Sequence, residues 1–411
     1  MHPSKGISGS LSSILNGKRI ILCVTGSVAA YLSPAIAREL MRHGADVHAF
    51  LTPDAVKLLG PQLLHWATGN PVITELSGEL EHVKYAVGSD LVLVAPATAN
   101  TIAKVTHGVA DNAVTALLLT AMGYGKNIII VPAMHEPMWL AEQTRRNVEA
   151  LRRWGVTVLE PEIVEEKAKL ADPAYIVEHV IRMLHPKRLP EGVRVLVSAG
   201  ATAENIDPIR VVTNQSSGRM GLEIALEAYR RGAETQLILG YSVVEPPRYI
   251  PTTRVTDSES LRKTLQTRLT TNPPAIYFST IAVADYRPRH VWDRKVDTGT
   301  TPDLKIELRA VDKILPIVKS ISPSTVVVAF KAEYNVDDET LLQRAEKLLE
   351  YSDIVYASDV GRPGSEFGSK TTTGIIIDSE RKVIHVENLS KHQVAAMLLD
   401  LTASKLKQLG M

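Results

Sequence analysis

The sequence predicts an α/β protein built from two Rossmann-like domains, the first of them flavodoxin-like with a parallel sheet. Three observations carry this. Short apolar runs such as Arg19–Val24 and Asp90–Ala95 are nearly continuous, as in strands buried on both faces by helices. A strand that ends in a glycine turn before a helical pattern occurs twice, at Thr25-Gly26-Ser27 and at Ala199-Gly200-Ala201-Thr202. The chain also has 411 residues, more than one core serves at about 100–200 residues per domain.

Residues 1–17, rich in Ser, Gly and Lys, read as a tail or short docking arm. The first domain then spans residues 18–184. After the Arg19–Val24 strand, helical spacing runs from Pro34 to His43. A second strand, Asp46–Leu51, stops at Thr52-Pro53-Asp54, where Thr52 caps the next helix or adds a hydroxyl to a bound phosphate. The runs from Asp90 to Ala95 and from Asn127 to Val131 are further buried strands. Residues 185–191 form a Pro-containing polar linker, and the second domain spans 192–411. It opens with Val193–Ser198, and strand-like runs follow at Thr235–Leu239, Ala275–Ser279, Thr325–Phe330, Asp353–Ala357 and Gly374–Asp378. Helices fall between them at Gly221–Arg231 and Asp338–Tyr351.

Composition narrows the function. Lys plus Arg total 46 and Asp plus Glu 45, a balance that argues against broad nucleic-acid or membrane-surface binding. A single cysteine excludes an intramolecular disulfide framework and any multi-thiolate metal site, and points to a reducing, cytoplasmic setting. No segment approaches the roughly 20 apolar residues of a membrane span.

Gly26-Ser27 resembles a phosphate-binding strand–helix turn, although a glycine there serves equally as a plain turn. The full G-x-G-x-x-G and its ribose-binding acid are absent, so a nicotinamide cofactor lacks support. Pro96-Ala97-Thr98-Ala99-Asn100 leaves a buried strand with small residues that admit a flat ring and two side chains able to bond its heteroatoms. Pro132-Ala133-Met134-His135-Glu136-Pro137-Met138-Trp139 leaves the next strand likewise.

Together these segments resemble the flavin-dependent cysteine decarboxylases, whose P-A-S-A-N and P-x-M-N-x-x-M-W stretches they match except for His135 in place of Asn. Gly108-Val109-Ala110-Asp111-Asn112 fits a third segment of that family. The resemblance implies FMN bound by Gly26, Ser27, Thr52, Ala97, Thr98 and Asn100. It makes His82 the base at the substrate, acting across a subunit interface. Oxidising the substrate thiol provides the electron sink that loss of carbon dioxide requires. The flap cysteine of bacterial members, which donates the final proton, is missing from Pro161–Asp172, where Glu165-Glu166-Lys167-Ala168-Lys169 stands. His135 ranks first and Lys167 second as its substitute.

In the second half, Asn214-Gln215-Ser216-Ser217-Gly218-Arg219-Met220-Gly221 and Ala282-Val283-Ala284-Asp285-Tyr286-Arg287 resemble the signatures of phosphopantothenate–cysteine ligases. The order, decarboxylase then ligase, resembles the archaeal type of the fused family of coenzyme A biosynthesis. The resemblance implies ligation of 4′-phosphopantothenate to L-cysteine through an acyl-cytidylate, with CTP and Mg²⁺, and then FMN-dependent decarboxylation to 4′-phosphopantetheine. It places Gly200, Thr202, Ser279, Thr280, Ile281, Asp285, Lys295 and Phe330 at CTP, and Arg210 and Asn214 at the substrate, with Asn214 and Lys295 catalytic. Two lysines of the bacterial pattern fall near Glu346 and Glu350, with Lys347 beside them as the candidate replacement. The resemblance further implies a homo-oligomer with trimeric decarboxylase and dimeric ligase contacts. Two other readings stand beside this one, a flavin-binding regulatory protein and a decarboxylase of another cysteine-terminated substrate.

Overall fold

The computed structural model describes residues 2–410. The chain divides after Pro186 into two compact units.

In the N-terminal unit, strands β1 (Arg19–Val24), β2 (Asp46–Leu51), β3 (Val72–Ile73), β4 (Leu91–Ala97), β5 (Asn127–Pro132) and β7 (Thr157–Val158) form one sheet, with β6 (Met134–His135) leaving after β5. The order is β3-β2-β1-β4-β5-β7, and every pairing is parallel. Alternation along β1 shows why the apolar run is continuous. Ile20, Leu22 and Val24 enter a core with Ile36, Leu40 and Ile181 on one face, while Ile21 and Cys23 enter a second core with Ile102, Val114 and Leu117 on the other. Burial raises the Cys23 thiol far above its ordinary range, which makes it a packing group. A separate small sheet joins β6 to an antiparallel hairpin of β8 (Glu162–Val164) and β9 (Lys167–Lys169). A Cβ on Gly26 would lie 2.5 Å from that of Asp54, so the turns after β1 and β2 meet too closely for a side chain there.

The C-terminal unit repeats the plan. Its strands are β10 (Arg194–Ala199), β13 (Glu234–Leu239), β14 (Thr252–Arg254), β15 (Ile276–Ser279), β18 (Val326–Glu333), β19 (Ile354–Asp359), β20 (Thr371–Asp378) and β21 (Val383–Ser390). They stand in the order β14-β13-β10-β15-β18-β19-β20-β21, parallel up to β19 and antiparallel beyond it. Two short ribbons, β11 (Ala203–Asn205) with β12 (Val211–Thr213) and β16 (Tyr286–Pro288) with β17 (Leu308–Ala310), project from strand ends.

Three expectations change. Of the tail or short docking arm expected over 1–17, the described part, 2–17, is docked: Leu15 is fully buried in the core, Ile7 and Ile14 pack against it, and the N–H groups of Gly9, Leu11 and Leu15 donate to Met41, Arg42 and His43. The polar composition of this segment concealed these scattered apolar anchors. The stretch around Leu189 is likewise packed, with Leu189 buried and its N–H on the Arg231 carbonyl. The third change lengthens a strand, because β18 continues past Phe330 to Glu333 through pairing with β19.

The Arg219–Arg230 helix lies so near β10 that a Cβ on Gly221 would sit 2.4 Å from both the Ala199 Cβ and the Thr280 Oγ1. Gly221→Ala is therefore expected to destabilise the C-terminal unit by about 1–3 kcal/mol through overpacking. Calorimetry should show its transition lowered and that of the N-terminal unit unmoved.

Candidate active sites

In an open parallel sheet, ligands bind beyond the carboxyl ends of the strands where the strand order reverses. In the N-terminal unit that place lies between β1 and β4, and a cavity of about 860 Å³ opens there. Thr25 ties its floor together. The hydroxyl donates to the Pro96 carbonyl at 2.9 Å and accepts from the Thr98 N–H at 2.9 Å. Gly26 and Ser27 follow β1, Thr52 follows β2, Thr98 and Asn100 follow β4, and His135 comes from β6, and all six line this cavity. Ser27, Thr52 and Thr98 each accept from a backbone N–H at the start of the helix they precede. Helix starts therefore converge on the space.

Two predicted residues stand apart from this cavity. Ala97 is fully buried within β4, so Ala99 supplies the small surface instead. His82, half-buried in the Glu81–Gly88 helix, does not line the cavity, and its Nδ1 is buried without a hydrogen-bond partner. The β8–β9 hairpin contributes Lys167 and Lys169 to the lining. Lys169 lies 3.3 Å from Glu165, and Lys167 is the cross-strand neighbour of His135. Tyr31, Met138 and the Lys104–Asp111 ion pair also face the space, and the motifs gave no sign of Tyr31.

In the C-terminal unit a cavity of about 540 Å³ is lined by Asn214, Thr280, Ile281, Asp285 and Phe330 among the predicted residues. One N–H of the Asn214 amide donates to the Val283 carbonyl at 3.0 Å, which fixes the amide between the two signature segments. The Thr280 hydroxyl donates to Ser198 O at 2.5 Å. Phe330 meets Tyr356 edge-on at 5.6 Å, and burial pushes the Tyr356 phenol up to about 12. Asp285 is exposed and bonded to the Lys313 ammonium at 2.6 Å.

Other predicted residues lie off this cavity. The N–H groups of Ala201 and Thr202 are committed to Tyr241 O and Ala282 O, and the Thr202 hydroxyl accepts from the Ala284 N–H. The turn after β10, with Gly200 and Thr202, thus stitches strand ends together where phosphate contact was expected. Ser279 does not reach the lining and takes a bond from the Tyr277 hydroxyl at 3.4 Å. Arg210 is held by Asp207 and the Val296 carbonyl, each at 3.1 Å. Lys295 is exposed in the segment before Val296, and Lys347 is exposed in the last turn of the Asp338–Leu348 helix, where a cation suits the dipole. In their place the structure brings Arg219, Lys331 and Lys391 to the cavity. Arg219 was visible within its motif. Lys391 had one signal, a cation in the first turn of a helix capped by Ser390, where the dipole disfavours it.

Residues 8–185 match the flavoprotein family, and residues 190–406 match the DNA/pantothenate metabolism flavoprotein C-terminal domain. The coenzyme A biosynthesis bifunctional protein CoaBC of Thermococcus kodakarensis is 41% identical over 407 residues, 97% of this chain and 98% of its own length. The chain belongs to the coenzyme A biosynthesis bifunctional protein family. The Methanocaldococcus jannaschii member is 35% identical over 366 residues, covering 88% of both chains, and the Bacillus subtilis member is 30% identical over 417, covering 97% and 99%. The two flavoprotein-type matches meet between residues 185 and 190, beside the break between the compact units. No helix among the described residues is long and apolar enough to cross a membrane.

Proposed function

We propose that each unit performs one of two consecutive reactions, and that the C-terminal cavity makes the substrate of the N-terminal one. The chain is a bifunctional phosphopantothenoylcysteine synthetase and decarboxylase of coenzyme A biosynthesis. The observation that carries the assignment is one cavity per unit, each at strand carboxyl ends and each lined by its own signature segment.

In the ligase, a carboxylate must become an electrophile before an amine can attack it. The carboxylate of 4′-phosphopantothenate displaces pyrophosphate from CTP, and the L-cysteine amine then displaces CMP to form the amide. Asn214 has one amide hydrogen anchored on Val283 O and offers the other to the acyl-cytidylate oxygens. Phe330, braced by Tyr356, stands beside the base. Asp285 accepts from the cytosine edge once the exposed Lys313 swings aside. Mg²⁺ is carried by the triphosphate oxygens. Arg210 serves 4′-phosphopantothenate and Lys295 faces the triphosphate of CTP, both from positions off the cavity of one unit, in a dimer of ligase units.

The N-terminal cavity fits FMN. Its volume lies within the range of about 300–1,000 Å³ typical of ligand sites. Ala99 and Ala133 leave room for a flat ring, and the capped helix starts at Ser27 and Thr52 offer a phosphate site. When bound, FMN would supply a reversible two-electron sink, so that the substrate thiol can become a thioaldehyde, carbon dioxide can leave onto it, and the same electrons can return as hydride to the enethiol. Thr98 and Asn100 bond the ring edge. His82 takes the thiol proton in a cavity completed by a neighbouring copy, a reading supported by its unpartnered Nδ1. His135 gives the proton that accompanies the returning hydride, and Lys167, its cross-strand neighbour, faces the negative charge left on the enethiolate when neutral carbon dioxide leaves.

Three outcomes test this reading. His82→Asn should abolish decarboxylation while FMN still binds, seen as unchanged flavin absorbance of the purified protein, and ligation continues. Asn214→Asp should lower ligation by about 10²–10³-fold, because an anion replaces the donor facing the intermediate, and decarboxylation of supplied 4′-phospho-N-pantothenoylcysteine should persist. Mass spectrometry should find the unreduced enethiol accumulating with His135→Asn and not with Lys167→Ala. Full reduction in both variants would assign the proton to solvent.

A further inference from the structure

The C-terminal cavity holds two cations with no carboxylate partner among the described residues. Lys391 is only 8% exposed yet lines the cavity, and no hydrogen bond or ion pair holds its ammonium. Arg219, half-buried, has its Nε shut away from solvent without a partner. Of the other charged groups on the lining, Lys331 pairs with Glu333 at 3.2 Å and Asp285 with Lys313, while Glu366 is exposed, accepts from the neutral Ser369 hydroxyl and makes no ion pair with Arg219 or Lys391. Glu223, one turn along from Arg219, favours the Lys391 charge without reaching salt-bridge distance of it. Desolvation and the Arg219 charge outweigh Glu223 and pull the Lys391 ammonium below the usual lysine range.

Both residues are also the first of their helices. Arg219 opens the 12-residue Arg219–Arg230 helix, whose N-cap Gly218 provides no side-chain acceptor, and Lys391 opens the 18-residue Lys391–Gln408 helix. The positive end of a helix dipole disfavours a cation, so two such placements at one cavity add unfavourable terms. Burying an unpaired charge is unfavourable. A buried lysine and a half-buried arginine, each at a helix start and both on one cavity, are stabilised by an anion of more than one charge.

We propose that Lys391 and Arg219 form the polyphosphate subsite of the ligase, and that Lys391 takes the part otherwise assigned to Lys347. This rests on the ligase reading above. The first N–H of each helix is already taken, by the Ser217 hydroxyl and the Lys370 carbonyl, so the side chains carry the subsite: Arg219 offers a planar fork and Lys391 a point charge, both on the lining. A triphosphate before reaction, and pyrophosphate after it, supply the missing negative charge. Lys347, exposed on another helix and off the lining, is bound to nothing in the cavity.

The test uses the full chain with inorganic pyrophosphate as probe, read by titration calorimetry, and KM for CTP in the ligation assay. Lys391→Met should weaken pyrophosphate binding and raise KM for CTP, each at least tenfold, and Lys391→Arg should recover most of both. The thermal transition of Lys391→Met should hold or rise, because an uncompensated buried charge is gone; a purely structural lysine would lower it. Lys347→Met should leave pyrophosphate binding unchanged. Unaltered pyrophosphate binding in Lys391→Met, or a tenfold loss in Lys347→Met, overturns the proposal. A wild-type chain that binds pyrophosphate through Lys391 but ligates nothing would defeat the ligase reading and leave the subsite standing.

Discussion

Both halves depend on how the ends of their central strands are tied where the strand order reverses. In the N-terminal unit one hydroxyl, that of Thr25, bonds the turn after β1 to the turn after β4 and leaves the crevice above them open. In the C-terminal unit the corresponding turn is drawn inward. Ala201 bridges to Tyr241 on one side and to Ala282 on the other, and Thr202 adds a bond to Ala284. The same topology therefore leaves space above β1 and β4 in one unit and closes it above β10 in the other. The open space moves toward Thr280, just past the end of β15, and toward Phe330 and Tyr356 within β18 and β19.

That shift explains where sequence reasoning succeeded and where it did not. The strands were legible because parallel strands covered on both faces leave no room for polar residues, as Ile20–Val24 illustrates by feeding two cores alternately. Ser27, Thr52 and Thr98 were legible because a hydroxyl before a helix caps it whether or not a ligand is present. Gly200 and Thr202 were set at CTP by the family resemblance, and nothing in Ala199–Thr202 reveals that the Ala201 and Thr202 N–H groups bond neighbouring strand ends. Leu15 and Leu189 were hidden for a different reason. A few scattered apolar anchors in a polar stretch, such as Ile7, Ile14 and Leu15, show no periodicity to detect.

Charge separates the two cavities as clearly as topology does. On the flavoprotein side, Lys104 is paired with Asp111 and Lys169 with Glu165, which leaves Lys167 as the one lysine on that lining without an ion pair among the described residues. The rest of that lining is largely neutral, with Thr98 and Asn100 among its polar groups. On the ligase side Arg219 and Lys391 lack such partners. This difference follows from what each site must hold. A flavin ring demands a flat, close surface, whereas a leaving polyphosphate demands positive charge kept away from water, where each Coulombic interaction is stronger.

The same reasoning accounts for the changed position of the cation. A lysine on the Asp338–Leu348 helix must cross from a face packed beside β19, and Lys347 points instead to solvent at the helix end that favours it. A lysine at the start of the Lys391–Gln408 helix begins inside the unit, because Val394, Leu398 and Leu399 of that helix are fully buried and hold its first turn against the cavity. The charge is thereby fixed by the core itself rather than by a surface side chain, at the cost of desolvation that the free protein bears until an anion arrives. On the proposal above, Glu346 and Glu350 need not be lysines, since Lys391 already brings a cation to the cavity lining from the start of another helix.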